Sequence, residues 1–306
     1  ARRGGGLPGL RWAGAAPRLG YACHVYAPEE ASPGMQVAAH RTVAAYEDRE
    51  ALARFAGSVA VVTFEFENVP AAALEALAGL VPCRPGLAAL ATCQDRVAEK
   101  AFLGRIGVPV APWRAIGSES DLAAAVAELG LPAVLKTTRL GYDGRGQAVV
   151  HPPEDLAPAS ARPAPKPLIL EAFVPFVAEI SAIPPRAVDG AVAVFDPAEN
   201  RHAHHILDLS FAPARVPEAV AAAARSHVAK VAEGLELVGV VALELFLLPD
   251  GSLLGNEIAP RPHNSGHWTM DACAASQFEQ HIRAVAGLPL ASPARHHDAV
   301  MRNLIG

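Results

Sequence analysis

The chain has no CxxC pair, no HExxH, no GxSxG, no GxxxxGK[ST], and no apolar run near the roughly 20 residues that a membrane span needs. Those absences argue against a structural zinc site, a zincin, a serine-hydrolase elbow, a Walker loop and a spanning helix. No Ser-His-Asp ordering is visible, so covalent nucleophilic catalysis has little support. Dense lysine or arginine runs are missing too. With 26 basic and 31 acidic residues the net charge is −5, which does not suit a polynucleotide partner. Cys23, Cys83, Cys93 and Cys273 lie far apart, a pattern of reduced thiols rather than a disulfide framework. The first residues lack the compact apolar core of a signal peptide, and a cytoplasmic protein with no membrane partner is expected. No internal repeat is present.

What is present is a 306-residue chain, 51% hydrophobic and 19% charged, enough for one large core or two to three smaller ones. The first third alternates strand and helix. Cys23–Tyr26 reads as a strand, Glu47–Ala56 as a helix and Val59–Phe66 as a β-branched and aromatic strand, which together predict a parallel sheet of α/β type. Helices are expected over Gln94–Arg105 and Ser120–Leu129, the second capped by Ser118 or Ser120. Strands are expected at Ala133–Lys136, Ala148–His151 and Leu168–Glu171. An antiparallel series at Ala178–Ile183 and Ala191–Phe195 follows, then an alanine-rich helix over Pro217–Leu235. A hairpin, Val238–Leu248 with Ser252–Ile258, turns at Pro249-Asp250-Gly251, and a last helix runs over Ser276–Ala286.

Three stretches carry chemistry. In KTTRLGYDGRGQ (136–147), a lysine ends a strand and a glycine-rich loop follows, where bare backbone N–H groups can approach phosphates. A solvated hairpin loop fits the same residues. In the later hairpin, ALELF (242–246) faces LGNEI (254–258), so Glu244 and Glu257 sit in apolar strands. A carboxylate there is costly unless paired or metal-bound, and two carboxylates with Asn256 suit Mg²⁺. Ordinary exposed carboxylates are the plainer alternative. APRPHNSGHWT (259–269) is dense in donors, as an anion-binding loop would be, although its histidines could also cap a helix. His202, His204 and His205 cluster, but without cysteine or HExxH they read as one nucleotide contact and two surface histidines rather than a zinc site. Gly4-Gly5-Gly6-Leu7-Pro8-Gly9 is a weak dinucleotide fingerprint, lacking its preceding strand.

Taken together, QDR (94–96), KTTRLGYDGRGQ, LEAFVPFVAEIS (170–181), ALELF, NEIAPRPHNSGHWT (256–269), EFENVP (65–70) and SQFEQHIRAVAGLPL (276–290) resemble the N5-carboxyaminoimidazole ribonucleotide synthetase family of ATP-grasp enzymes over almost the whole chain. The resemblance implies an α/β and α+β architecture: an ATP-grasp fold with an N-terminal parallel-sheet, Rossmann-like pre-ATP-grasp domain. The expected bounds are 1–95, a small lid domain at 96–170 and a large domain at 171–306. It also implies a homodimer and the use of ATP, Mg²⁺, bicarbonate and 5-aminoimidazole ribonucleotide.

By the same resemblance, Arg96 and Lys136 contact ATP phosphates, and Gly141, Tyr142, Asp143, Gly144, Arg145, Gly146 and Gln147 form the lid. Glu171, Ala172, Phe173 and Val174 form the adenine hinge through their backbone, Glu179 takes the ribose hydroxyls, and His202 lies near the nucleotide. Glu244 and Glu257 hold Mg²⁺ with Asn256 beside them. Arg261, His263, Asn264, Ser265 and His267 face bicarbonate and the ribonucleotide, with Glu65 or Glu67 reaching its ribose. Arg261 and Lys136 are the expected catalytic residues. The chain departs from the family in three places. Leu7 stands where GGGQLG has glutamine, His204-His205 replaces an acid followed by glycine, and the sequence stops at Gly306, before the subdomain expected to clamp the substrate phosphate. An impaired nucleotide-binding protein is the alternative reading.

Overall fold

The structure, a computed structural model, describes residues 7–140, 146–151 and 167–304, with side chains described from Leu10 onward. Strands β1 (His24–Ala27) and β2 (His40–Val43) pair in parallel near the N-terminus, as the alternating pattern requires. Val59–Phe66, by contrast, is not a strand. Val62 makes one parallel bridge to Cys83, donating to Pro82 O and accepting from Arg84 N–H. Pro82 has no N–H to give to Ala60 O, so the ladder cannot lengthen toward Ala60. Helices Arg49–Ala56 and Ala71–Leu77 close a core of Leu52, Phe55, Leu77 and Val81.

Four strands, β3 (Trp113–Ile116), β4 (Ala133–Thr137), β5 (Gln147–Val150) and β6 (Leu168–Ala172), form an antiparallel sheet in the order β3-β6-β4-β5. Helix Glu119–Leu129, capped by Ser118 through a bond from Asp121 N–H, packs Leu122 and Ala125 onto Leu135 and Leu170. The second, larger sheet comprises β7 (Ala178–Ala182), β9 (Ala198–Ala203), β10 (Ile206–Ala212), β12 (Ala242–Leu247), β13 (Leu253–Ala259) and β14 (Ala299–Arg302). Its order is β13-β12-β7-β9-β10-β14, and β8 (Pro185–Arg186) pairs apart from it with β11 (Gly239–Val240). Helix Glu218–Gly234 buries Val228 and Val231 against Ile180, Leu243 and Leu245.

The expected strand at Ala191–Phe195 is also absent. Ala193 and Phe195 donate to Pro185 O and Ile183 O and Ala187 N–H donates to Ala191 O, but Pro185 has no N–H to return to Ala193, so only the single Arg186–Val192 bridge forms. The second partner of that series is instead the β9–β10 hairpin. His204 and His205 make its turn with φ of 53° and 64°, the left-handed pair that a two-residue hairpin demands and that glycine takes with least strain.

The N-terminal and C-terminal parts meet at His281, on helix Gln277–Ala286. Its Nδ1 accepts from Val240 N–H at 3.2 Å, which leaves Nε2 protonated to donate to Thr63 Oγ1 at 2.7 Å, and the ring stacks on Trp12 at 4.7 Å. Burial pushes the imidazole down to about 3, so it stays neutral. Thr63→Val keeps the shape and strands the Nε2–H. The expected loss is about 1–3 kcal/mol in urea unfolding. An unchanged midpoint would show that this bond contributes nothing.

Candidate active site

Helix Arg96–Arg105 begins at Asp95, whose carboxylate accepts from Val97 and Ala98 N–H groups while receiving Arg139 Nε at 3.2 Å. Arg96 N–H donates to Thr138 O at 2.9 Å. These contacts tie the QDR turn to the end of β4, just past Lys136. Arg96, Glu99 and Lys100 then share one helical face, three and four residues apart. All three reach β13: Arg96 Nη1 lies 3.3 Å from Glu257 Oε2, Glu99 Oε1 accepts from Ile258 N–H at 2.5 Å, and Lys100 Nζ donates to Asn256 O at 2.9 Å.

On the hairpin, Glu244 and Glu257 stand directly opposite each other. Leu243 and Leu245 are buried on the other face, as alternation requires. Between Glu244 and Leu245 the register slips, leaving Asn256 as an extra residue on β13. Such a bulge re-aims a side chain and recurs beside active sites. Burial, and then repulsion from Glu257, push the Glu244 carboxyl up to about 7. Burial and Glu257 likewise push Glu99 up to about 8.

Lys136 reaches into the same network. Its Nζ lies 3.0 Å from Glu171 Oε2, and Lys100 Nζ approaches that same oxygen at 3.3 Å. Burial pulls the Lys136 ammonium down, and Glu171 opposes it. Burial alone would raise Glu171, but Lys100 and Lys136 outweigh it and hold the carboxyl below the usual range. The sequence pattern points to Lys136 here, and the family resemblance to Arg96. Neither singles out Glu99 or Lys100, although their spacing from Arg96 was the available signal.

The expected hinge lies at the end of β6, where the fold already engages part of its backbone. Glu171 is paired on both sides, with Trp113 of β3 and Val134 of β4, and its side chain turns inward to the lysines. Ala172 and Phe173 N–H groups are already donated to Pro112 O and Pro132 O. Ala172, Phe173 and Val174 line an apolar cleft of about 360 Å³ with Pro112, Leu248 and Leu254, suited to a flat heteroaromatic ring. Glu179 on β7 meets His202 of β9 at 2.9 Å, while His204 and His205 are exposed on their turn.

Around the donor-rich loop, Arg261 Nε pairs closely with Glu67. Burial works against that carboxylate, yet the guanidinium keeps it below the usual range. Gln94 holds the Glu67 and Val69 carbonyls at 2.7 Å each. Glu65 instead lies toward Tyr46, whose hydroxyl is pushed up to about 12 by burial and by Glu29 and Glu65. Burial and Arg261 push His263 down to about 3. Its Nδ1 contacts Ser265 Oγ and accepts from Ser265 N–H, so the 3.3 Å contact from Nε2 to Glu244 Oε1 is a neutral hydrogen bond. The buried Ser265 hydroxyl thus orients His263. Asn264 is exposed and its carbonyl meets His267 Nδ1 at 2.6 Å; burial and Arg11 lower His267 to about 4. A small cavity of about 30 Å³ joins Glu67, Cys93, Arg96, Glu99 and Glu257.

Of the expected lid, Gly141, Tyr142, Asp143, Gly144 and Arg145 lie outside the described residues. Gly146 has φ 75°, and its carbonyl accepts from Thr137 N–H. Gln147 opposite Lys136 opens β5. Leu7 opens helix Leu7–Arg18; its side chain is not described. Among the described residues no group of three or more His, Cys, Asp or Glu could hold a metal ion, and no helix is long and apolar enough to cross a membrane.

Arg96 meets the carboxylate hairpin and Lys136 meets Glu171 of β6, next to an apolar cleft at that strand's end. Residues 101–278 match the model of the ATP-grasp domain and residues 3–94 that of the ribonucleotide synthetase preATP-grasp domain. These matches define the class, an ATP-grasp enzyme with a pre-ATP-grasp domain before it. N5-carboxyaminoimidazole ribonucleotide synthases from Brucella melitensis biotype 1 and Bacillus subtilis strain 168 are 49% and 44% identical over 305 and 303 residues. Each alignment covers 99% of this chain, and 84% and 80% of those proteins respectively. A solved synthetase of that name with ADP bound aligns at TM-score 0.94 and 43% identity, over 98% of this chain and 80% of its own. The Aspergillus clavatus enzyme in complex with ADP and 5-aminoimidazole ribonucleotide aligns at 0.92 and 33%, over 99% and 81%. The chain belongs to the N5-carboxyaminoimidazole ribonucleotide synthase family.

Proposed function

We propose that this protein is an ATP-dependent carbon–nitrogen ligase of purine biosynthesis. It carboxylates 5-aminoimidazole ribonucleotide to N5-carboxyaminoimidazole ribonucleotide, giving ADP and phosphate. The observation that carries the reading is the single charged network joining Lys136, Glu171, Lys100, Arg96 and Glu257. A bicarbonate oxygen attacks the γ-phosphorus as its bond to the β-phosphate oxygen breaks, releasing ADP and forming carboxyphosphate. The 5-amino nitrogen then takes the carboxyl carbon, directly or as CO₂, while phosphate leaves and the nitrogen loses a proton. Such a reaction needs positioning and charge neutralisation more than a nucleophilic side chain.

In this reading Arg96 and Lys136 hold the phosphates, and Val174 binds the adenine edge above the apolar cleft. Glu179 and His202 take the ribose. Arg261, a half-buried cation, holds bicarbonate beside the neutral donor His263, and Glu67 faces the acceptor nucleotide. Domain bounds at 95 and 170 divide the acceptor, lid and metal parts. Four free cysteines suit the cytoplasm, and a homodimer follows from the family resemblance.

Glu244 and Glu257 fit Mg²⁺. Two oxygen donors face each other, and burial with repulsion from Glu257 pushes the Glu244 carboxyl up to about 7, a strain that a divalent cation between them would relieve. When bound, Mg²⁺ neutralises the triphosphate oxygens. The two raised carboxyls also fix a sign. Glu244 and Glu99 bind protons more tightly folded than unfolded, so their stabilisation is present below about pH 4.5 and lost as pH rises through about 7 and 8. Millimolar MgCl₂ is therefore expected to raise Tm more at about pH 8 than at about pH 5.5, where a proton already satisfies Glu244. Equal shifts at both pH values would remove the metal from that carboxylate.

The function itself is tested by ADP release. Turnover should require bicarbonate and 5-aminoimidazole ribonucleotide together. Nucleotide binding without such turnover overturns the proposal.

A further inference from the structure

Lys100 is 1% exposed; its ammonium donates to Asn256 O at 2.9 Å and Gly255 O at 3.3 Å and pairs with Glu171 Oε2 at 3.3 Å. Glu171 offers one oxygen to both lysines, while its Oε1 is buried with no hydrogen-bond partner. One carboxylate thus serves two cations. Of the two, Lys136 sits at the end of β4 beside the expected lid, and Lys100 is enclosed between the helix, β6 and β13.

This asymmetry has a consequence for phosphate binding. If Lys136 turns from Glu171 to a triphosphate, a carboxylate that is 3% exposed would be left without its partner, an arrangement proteins tolerate poorly. Lys100 removes that obstacle because it stays. We propose that Lys100 is a positioning residue for phosphoryl transfer: as the resident counterion of Glu171, it allows Lys136 to exchange that carboxylate for the nucleotide. The inference rests on Lys136 contacting ATP, as in the function proposed above.

Lys100→Gln keeps two amide donors for the β13 carbonyls and removes the charge. It is expected to raise KM for ATP, and the dissociation constant of a non-hydrolysable ATP analogue measured by calorimetry, by about tenfold or more. KM for 5-aminoimidazole ribonucleotide should stay within about twofold, because Arg261, Glu67 and His263 are untouched. In Lys100→Gln/Glu171→Gln the neutral amide needs no counterion, so analogue affinity should return to within about threefold of the parent.

Unchanged affinity in the single variant, an equal rise in both KM values, or no recovery in the double variant overturns the proposal. A single variant that folds only when Glu171→Gln is added supports it, and failure of both to fold overturns it, since Lys100 then serves the core alone. The analogue measurement separates this outcome from the function. A parent enzyme that binds the analogue but lacks carboxylation would defeat the proposed reaction and leave the role of Lys100 standing.

Discussion

Glu257→Gln is expected to lower turnover by about 10³-fold or more with the fold retained. The substitution is isosteric and its amide oxygen can still accept from Arg96, now 3.3 Å from Oε2, so the helix and β13 stay docked through Glu99 and Lys100. What disappears is one of the two facing charges that suit a divalent cation. Glu244 cannot stand in, because its carboxyl already titrates near 7. Removing its neighbour relieves the repulsion that helps to raise it, yet leaves a single carboxylate on a buried strand. The readout is initial ADP release across a Mg²⁺ titration, beside a thermal scan. A rate within about threefold of the parent at ordinary Mg²⁺, with Tm unchanged, would take the metal away from this hairpin.

Much of this site is legible in the sequence because strand alternation forces it. Leucines at 243 and 245 bury one face, so Glu244 must lie on the other, and a turn at Pro249-Asp250-Gly251 brings Glu257 across from it. Lys136 follows from its place at a strand end before glycines. The bulge at Asn256 is not legible, since nothing in LGNEI says which residue will be extra. Lys100 and Glu99 are missed for a different reason. On a helix with three charges in five residues they read as solvent-facing, and only the docking of that face onto β13 makes them buried.

The failed strands share one cause. Val59–Phe66 and Ala191–Phe195 have β-forming residues, but their partners carry Pro82 and Pro185 where the ladder would use an N–H, and pairing depends on the partner as much as on the segment. The hinge at 171–174 shows the same dependence. Glu171 and Ala172 end β6 with Phe173 and Val174 just past it, and neighbouring segments take up the Ala172 and Phe173 N–H groups.

Gly266→Ala should disable the acceptor side while sparing nucleotide binding. Gly266 lies in the short 3-10 turn Asn264–Gly266, and a Cβ there would sit 2.5 Å from Ile183 Cδ1, 2.6 Å from Gln277 Oε1 and 2.8 Å from Gln277 Cδ. Neither neighbour has an easy escape. Ile183 is buried in the core beneath β8, and Gln277 holds His263 at both ends, accepting from its N–H at 2.9 Å and donating to its carbonyl at 2.6 Å. Moving Gln277 therefore releases His263 from its place 3.3 Å from Glu244. Overpacking of this kind costs about 1–3 kcal/mol, visible as a lower urea midpoint. The kinetic effect should be larger and one-sided: KM for 5-aminoimidazole ribonucleotide up by about tenfold or more and turnover down by about 10²-fold, with ATP-analogue affinity within about threefold. The apolar cleft, Lys136 and Glu171 lie on the four-stranded sheet and its junction with the hairpin, away from the 264–266 turn, and nothing in the substitution reaches them. If nucleotide affinity fell in step with acceptor affinity, the loop would be part of the nucleotide site and its assignment to the acceptor would fail.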